Sequence, residues 1–195
     1  MNHTLFQWIN ASAAPPAWAL VAARAWAELA IALIPALLIA GWLRGPYTVR
    51  LSMLEAGTAG VLALLFAQVL GILWPMPRPF MIGLGHQWLA HTADASFPSD
   101  HLTLWWSVAF SLALGRRTRP VGIALAGLGL PVAWARIYLG VHFPLDMAGA
   151  ALVGCCAALL ARRARRLLSQ WILPPGQAVY RRLFAPAIAH GWLRR

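Results

Sequence analysis

Apolar residues fill this chain in runs far longer than the one-sided stripe of a water-facing helix, and polar residues fall in short clusters between them. A bilayer-crossing helix needs about 20 mostly apolar residues. Five stretches read as spans: 17–43, 49–74, 99–115, 120–139 and 143–161. The first is long enough to tilt and carries Pro35 as a candidate kink. Arg24 and Glu28 lie four apart in it, so on a regular helix they share a face and can pair. In the second, Ala56, Gly57 and Gly60 permit close approach of a neighbouring helix. Pro131 predicts a bend in the fourth. Residues 1–15 are too short and mixed to span; Leu5, Phe6, Trp8 and Ile9 suggest a segment lying on the membrane surface. The long connection, Pro75 to Phe97, is rich in Pro, Gly and His, and a basic tail with Pro174-Pro175-Gly176 is expected to end in a short interfacial helix.

Composition turns this pattern into a class. A hydrophobic content of 61% and a mean hydropathy of +0.65 exceed what a soluble domain carries, roughly half. The chain is therefore read as an all-α integral membrane protein, one domain over residues 1–195, with a basic cytoplasmic tail from about 162. A net charge of +11 would suggest nucleic acid in a soluble protein. Here the arginines sit at the ends of apolar runs and form no basic groove, so the expected partners are membrane lipids and no nucleic acid. Cys155 and Cys156 are adjacent in an apolar run, and buried free thiols are expected. Residues 1–15 carry no Lys or Arg, so no cleavable leader is expected.

Arginine placement sets the orientation. Arg44 and Arg50 flank the first inter-span loop, Arg116, Arg117 and Arg119 lie in the third, and Arg162, Arg163, Arg165 and Arg166 follow the last span. In a five-span alternating chain these all fall on one side, which the positive-inside rule makes cytoplasmic. The opposite, outer side then holds Arg78, Asp94, Ser99, Asp100, His101, Arg136 and His142.

Those gathered residues have a common chemistry. His142 and Asp146 are four apart at a helix start, so they share a face. A carboxylate on one imidazole nitrogen fixes the tautomer and leaves the other lone pair free to attack. Arg136 and Arg78 offer forked donors suited to phosphate oxygens. Ser99 is a good N-cap after Pro98, and a helix start binds anions through its free N–H groups and dipole. His101, one turn in, can protonate a leaving oxygen. Taken singly, each arginine is an interfacial anchor and each histidine a structural hydrogen-bonder. On one membrane face together, they form a phosphoryl-transfer site.

Arg78-Pro79, Pro98-Ser99-Asp100-His101 and Arg136-x5-His142-x3-Asp146 resemble the three signature motifs of the type 2 phosphatidic acid phosphatase superfamily, over about residues 70–155. The Pro-Ser-Asp-His form, with Phe80 to His86 upstream, resembles the bacitracin-resistance-type undecaprenyl-pyrophosphate phosphatases. The resemblance implies a bundle of five to six transmembrane helices, with residues 1–15 or the tail supplying the shorter one. It implies His142 as nucleophile through a phosphohistidine, Asp146 orienting it and His101 as general acid. Arg78, Ser99, the backbone N–H of Asp100 and Arg136 would hold phosphate, with no metal or other cofactor. The expected substrate is undecaprenyl pyrophosphate at the periplasmic face of a bacterial inner membrane. Alternatives are another lipid phosphate (phosphatidylglycerophosphate or phosphatidate), a lipid phosphotransferase, or a lipid transporter; no repeat of the transporter kind is visible. Gly71 stands where the first motif usually has Lys, and Ala135 where the third often has Ser. His86 and His91 are candidates for a second phosphate contact or a lid, with a structural role as the plainer expectation.

Overall fold

The computed structural model describes residues 1–194. Its helices are α1 (Asn2–Ile9), α2 (Ala17–Arg24), α3 (Leu33–Arg44), α4 (Tyr47–Leu73), α5 (Asp100–Ala113), α6 (Arg119–Tyr138) and α7 (Pro144–Arg163), followed in the tail by α8 (Arg165–Leu167), α9 (Leu173–Leu183) and α10 (Ala185–Ala189). Among the described residues, four helical stretches are long and apolar enough to cross a bilayer: Ala17–Arg44, Tyr47–Leu73, Arg119–Tyr138 and Pro144–Arg163.

The stretch expected as the third span forms a shorter helix. It yields α5, 14 residues and so about 21 Å long at 1.5 Å per residue, short of a hydrocarbon core of about 30 Å. Helix α5 sits at the centre, packed on α4, α6 and α7, with Leu102, Trp105, Val108, Ala109 and Leu112 fully buried. Most of its surface is covered by neighbouring helices, and it runs from the His101 end of the bundle to the Arg116 end. The indole N–H groups of Trp105 and Trp106 donate to the carbonyls of Leu125 (2.7 Å) and Ala126 (3.1 Å) on α6. At Gly122 the helices come so close that a Cβ would lie 2.2 Å from the Ala113 nitrogen. Helix α6 runs through Pro131 without interruption.

Three local expectations change. Between α2 and α3 the helix loosens into a π turn, Ala25–Leu29, and a 3-10 turn, Ala30–Ala32. Proline at 35 has no N–H for the carbonyl one turn back and its ring crowds that turn, so the irregularity falls just ahead of it. The π turn breaks the four-residue spacing, and Arg24 donates to the Trp88 carbonyl at 3.0 Å instead of pairing with Glu28. Of the small residues on α4, Ala56 is fully buried and Gly60 faces Leu104 of α5, while Gly57 faces open space. Cys155 and Cys156 are exposed, because the buried stripe of α7 runs through Gly149, Ala150, Gly154, Ala157 and Ala158.

The two ends of the bundle are closed by the chain termini. Helix α1 lies across one end, where Asn10 bridges the carbonyls of His86 and Tyr138 (both 3.0 Å) and the Asn2 side chain accepts from the Leu145 N–H. The tail folds back on the other end, where the Arg50 guanidinium stacks 4.5 Å from the Tyr180 ring centroid and donates to the Trp42 carbonyl. The histidines of the motifs lie at the α1 end; the arginine-bearing loops lie at the tail end.

Candidate active site

The turn between α6 and α7 builds the first half of the site. Arg136 occupies the last turn of α6, and Gly140 then adopts φ +81°. A side chain there would be strained and its Cβ would fall 2.1 Å from the His86 carbonyl oxygen. The tight turn delivers His142 directly ahead of α7. Pro144 starts that helix, where no N–H is needed, and Asp146 reaches back to accept from the Phe143 N–H at 2.8 Å. One carboxylate thus caps α7 and holds the histidine.

His142 is 1% exposed, and its two nitrogens see different environments, with Arg78 Nη1 closer to Nε2 (3.0 Å) than to Nδ1 (3.4 Å). Nδ1 faces Asp146 Oδ2 at 3.1 Å. Nε2 faces Arg78 Nη1 at 3.0 Å and Arg136 Nη2 at 3.4 Å. Guanidinium groups only donate, so Nε2 carries the lone pair and Nδ1 the proton. This is the tautomer a nucleophilic Nε2 needs. Burial pushes the His142 pKa well below its ordinary 6.5, with Arg136, Arg78, His91 and His101 acting in the same direction. The imidazole is therefore neutral at neutral pH.

The connection after α4 supplies the second half. Arg78 is 4% exposed and spends its fork on four partners: Asp94 Oδ1 (2.8 Å), the carbonyls of Val141 (3.0 Å) and Ala95 (3.2 Å), and His142. Asp94 remains 58% exposed at its side chain. Burial raises its pKa, but the Arg78 hydrogen bond and charge outweigh that and hold it below the ordinary carboxylate value. The loop folds back through the Ser96 N–H, which donates to the Met76 carbonyl at 2.8 Å. That places the fully buried Ser96 hydroxyl 2.5 Å from Asp146 Oδ2. Asp146 Oδ2 thus accepts three hydrogen bonds, which fixes its rotamer and that of His142.

Ser99 caps α5 beside this cluster, its N–H directed at the Asp146 carbonyl (3.4 Å). Its hydroxyl is buried without a partner within the protein, as is Arg136 Nε. Buried donors are normally satisfied, and leaving one unpaired costs about 1–3 kcal/mol. A phosphoryl oxygen would satisfy both, and the free N–H groups in the first turn of α5 add further donors. His101 follows in that first turn, half-buried. The Asp100 side chain is exposed and accepts from Gln68 Nε2 at 3.3 Å, so only its backbone belongs to the phosphate cradle.

All seven candidate residues from the sequence gather at this end of the bundle. His91 joins them, its ring edge-on to His142 at 6.1 Å between centroids; burial and the Arg78 charge lower its pKa. His86 does not join: its exposed backbone is held by Asn10 Oδ1 at 2.7 Å. Gly71 lies beside the cluster, lining a cavity of about 220 Å³ with Gln68, Asp94 and Asp100. Ser96 was missed by the sequence reading. The only signal was a small hydroxyl residue next to the Phe97-Pro98 motif.

Comparison with known proteins identifies the family. Residues 52–169 match the family model described as the PAP2 superfamily. The chain is 34% identical over 194 residues to the "Putative undecaprenyl-diphosphatase YbjG" of Escherichia coli, covering 100% of this chain and 98% of that one. It is 35% identical over 145 residues to the "Undecaprenyl-diphosphatase BcrC" of Bacillus subtilis, 74% of each chain. Among solved structures, the crystal structure of Aquifex aeolicus LpxE superposes with a TM-score of 0.66 at 26% identity, over 83% of this chain and 94% of that one. The Bacillus subtilis PAP2-type phosphatidylglycerolphosphate phosphatase shares the fold, with a TM-score of 0.59 at 20% identity over 87% and 86% of the two chains.

Proposed function

The chain belongs to the PAP2 superfamily as a membrane phosphatase with undecaprenyl-diphosphatase relatives, and from that premise we propose that it converts undecaprenyl pyrophosphate to undecaprenyl phosphate and phosphate at the outer face of a bacterial inner membrane. The observation that carries the reading is the setting of His142: a neutral imidazole whose Nε2 points between two guanidinium groups while Nδ1 donates to a carboxylate oxygen that accepts three hydrogen bonds.

The reaction follows from the atoms. The terminal phosphoryl oxygens replace Nε2 as acceptors for Arg78 Nη1 and Arg136 Nη2, and take up the unpaired Ser99 hydroxyl and Arg136 Nε. Nε2 attacks phosphorus in line with the bond to the bridging oxygen. That bond breaks as the phosphohistidine forms. His101, whose pKa burial and the Arg136 charge lower to about 4, takes up a proton as the negative pyrophosphate binds beside it and gives that proton to the departing lipid phosphate. Water then attacks phosphorus, His101 takes the water's proton back, and Nε2 is released with inorganic phosphate. Positioned donors of this kind are worth roughly 3–4 kcal/mol each where they meet charge developing in the transition state. Nδ1–H stays on Asp146 throughout, and the carboxylate stabilises the positive phosphoimidazole.

Orientation rests on the separation of charge along the bundle. The arginine-bearing loops and tail occupy one end and the histidine cluster the other, as expected when the arginine end is cytoplasmic. The test is phosphate release from a panel of purified lipids: undecaprenyl pyrophosphate, undecaprenyl phosphate, phosphatidylglycerophosphate and phosphatidate. Fastest turnover per kcat/KM is expected with the pyrophosphate. A preference for either glycerolipid would replace the substrate while keeping the mechanism.

A further inference from the structure

Four arginines converge at the end of the bundle away from the histidines. Arg116 and Arg117 come from the turn between α5 and α6, Arg162 from the last turn of α7 and Arg165 from α8. With Thr48, Ser52 and Gly115 they line a cavity of about 580 Å³. Asp146 and Arg162 stand near opposite ends of α7, about 24 Å apart along a helix rising 1.5 Å per residue. The cavity is thus remote from the catalytic cluster.

Charge asymmetry across a membrane already favours arginine at one surface, but that preference asks only for depth. Here the side chains are organised around a concave surface. Glu55, on an otherwise apolar turn of α4, is 3% exposed and accepts from Arg162 Nη1 at 3.4 Å and from Arg165 Nη1. The carboxylate anchors two of the four arginines at the cavity wall and neutralises one charge. Arg116 and Arg117 are exposed and have no ion-pair partner among the described residues. Three positive charges are left in excess. The amino end of α6, a helix of 20 residues, opens at the same turn and adds its positive dipole end.

We propose that this cavity binds a phosphate group, carried by the headgroup of an anionic membrane phospholipid or supplied as free phosphate. Guanidinium forks pair with phosphate oxygens two at a time. The volume lies in the range of ligand clefts and exceeds what a lone anion fills. Basic pockets between helix ends at a membrane surface recognise such headgroups. The site stands independently of the reaction assigned to the other end of the bundle.

The test uses the full chain in detergent micelles, with thermal unfolding followed as phosphatidylglycerol, phosphatidylcholine or inorganic phosphate is titrated in separate arms. Two double variants remove equal charge from the same end: R116Q/R117Q inside the cavity, and R119Q/R163Q, exposed and outside it. All are run on an H142A background to silence turnover. Phosphatidylglycerol is expected to raise the unfolding temperature, phosphatidylcholine not. The concentration needed is expected to rise about tenfold or more in R116Q/R117Q and to stay within about twofold in R119Q/R163Q. The same pattern with inorganic phosphate would identify the free anion as ligand. Equal effects of the two double variants, or stabilisation by neither phosphate source, would overturn the proposal.

Discussion

Replacing Asp146 by Asn removes a charge and leaves its frame in place. Oδ2 alone accepts from His142 Nδ1 (3.1 Å), Ser96 Oγ (2.5 Å) and Phe143 N (2.8 Å). An asparagine whose amide oxygen takes that position keeps all three hydrogen bonds and the cap on α7. What goes is the negative charge beside an imidazole that turns positive on taking up the phosphoryl group. Two unit charges about 4 Å apart attract by about 4 kcal/mol at an effective dielectric constant of about 20. A half-developed charge in the transition state claims about 2 kcal/mol of that, or about 30-fold in kcat. The assay is initial-rate phosphate release at saturating lipid pyrophosphate, with thermal unfolding measured on the same preparation. A folded Asp146→Asn variant with kcat within about threefold of the parent would refute the reasoning, because the carboxylate would then only be a cap.

Ser96→Ala separates the same network differently: the charge remains but a buried hydrogen bond to it is lost. Stability is expected to drop by about 1.5–3 kcal/mol, read by denaturant or thermal unfolding in detergent, with a smaller loss of kcat than in Asp146→Asn; the reverse order would contradict the division of roles. The pH profile carries the next test. With the His142 pKa held below its ordinary 6.5, the unfolded chain takes up that proton first, so stability falls as pH drops below about 6.5 while the folded nucleophile stays neutral. The acid limb of kcat/KM belonging to His142 is expected below pH 6.5, and a limb at or above it would count against the neutral imidazole. His101→Ala is expected to slow substrates with poor leaving groups at least tenfold more than activated ones; equal losses would remove His101 from the proton-transfer role.

How far the sequence could be read depended on whether a relation was local. Arg136, His142 and Asp146 lie within one helix end, one turn and one helix start, so their spacing already puts them on one face. The end of the bundle they share with Arg78 and His101 was readable from arginine placement. Ser96 was not readable. Its contact with Asp146 crosses 50 residues of chain and depends on the Met76 carbonyl catching the returning loop, which no spacing encodes. The face of α7 was also hidden. In an aqueous helix, polarity marks the exposed side, but lipid accepts the same residues as the core, so Cys155 and Cys156 read as buried although they are exposed. The burial of α5 was hidden for the same reason, because an apolar run does not tell whether lipid or protein surrounds it. Pro35 marked an irregularity correctly, and the loosened turns fall before it because the lost hydrogen bond points backward.

The proposal that His142 carries the phosphoryl group is tested most directly by trapping it there. Full-length protein is mixed with lipid pyrophosphate radiolabelled in the terminal phosphate, quenched in alkali within the first turnover, and digested. Label is expected on the peptide containing His142, stable to base, released by acid, and absent from His142→Ala. Full turnover with no labelled protein at any quench time, or label on a different residue, would contradict it.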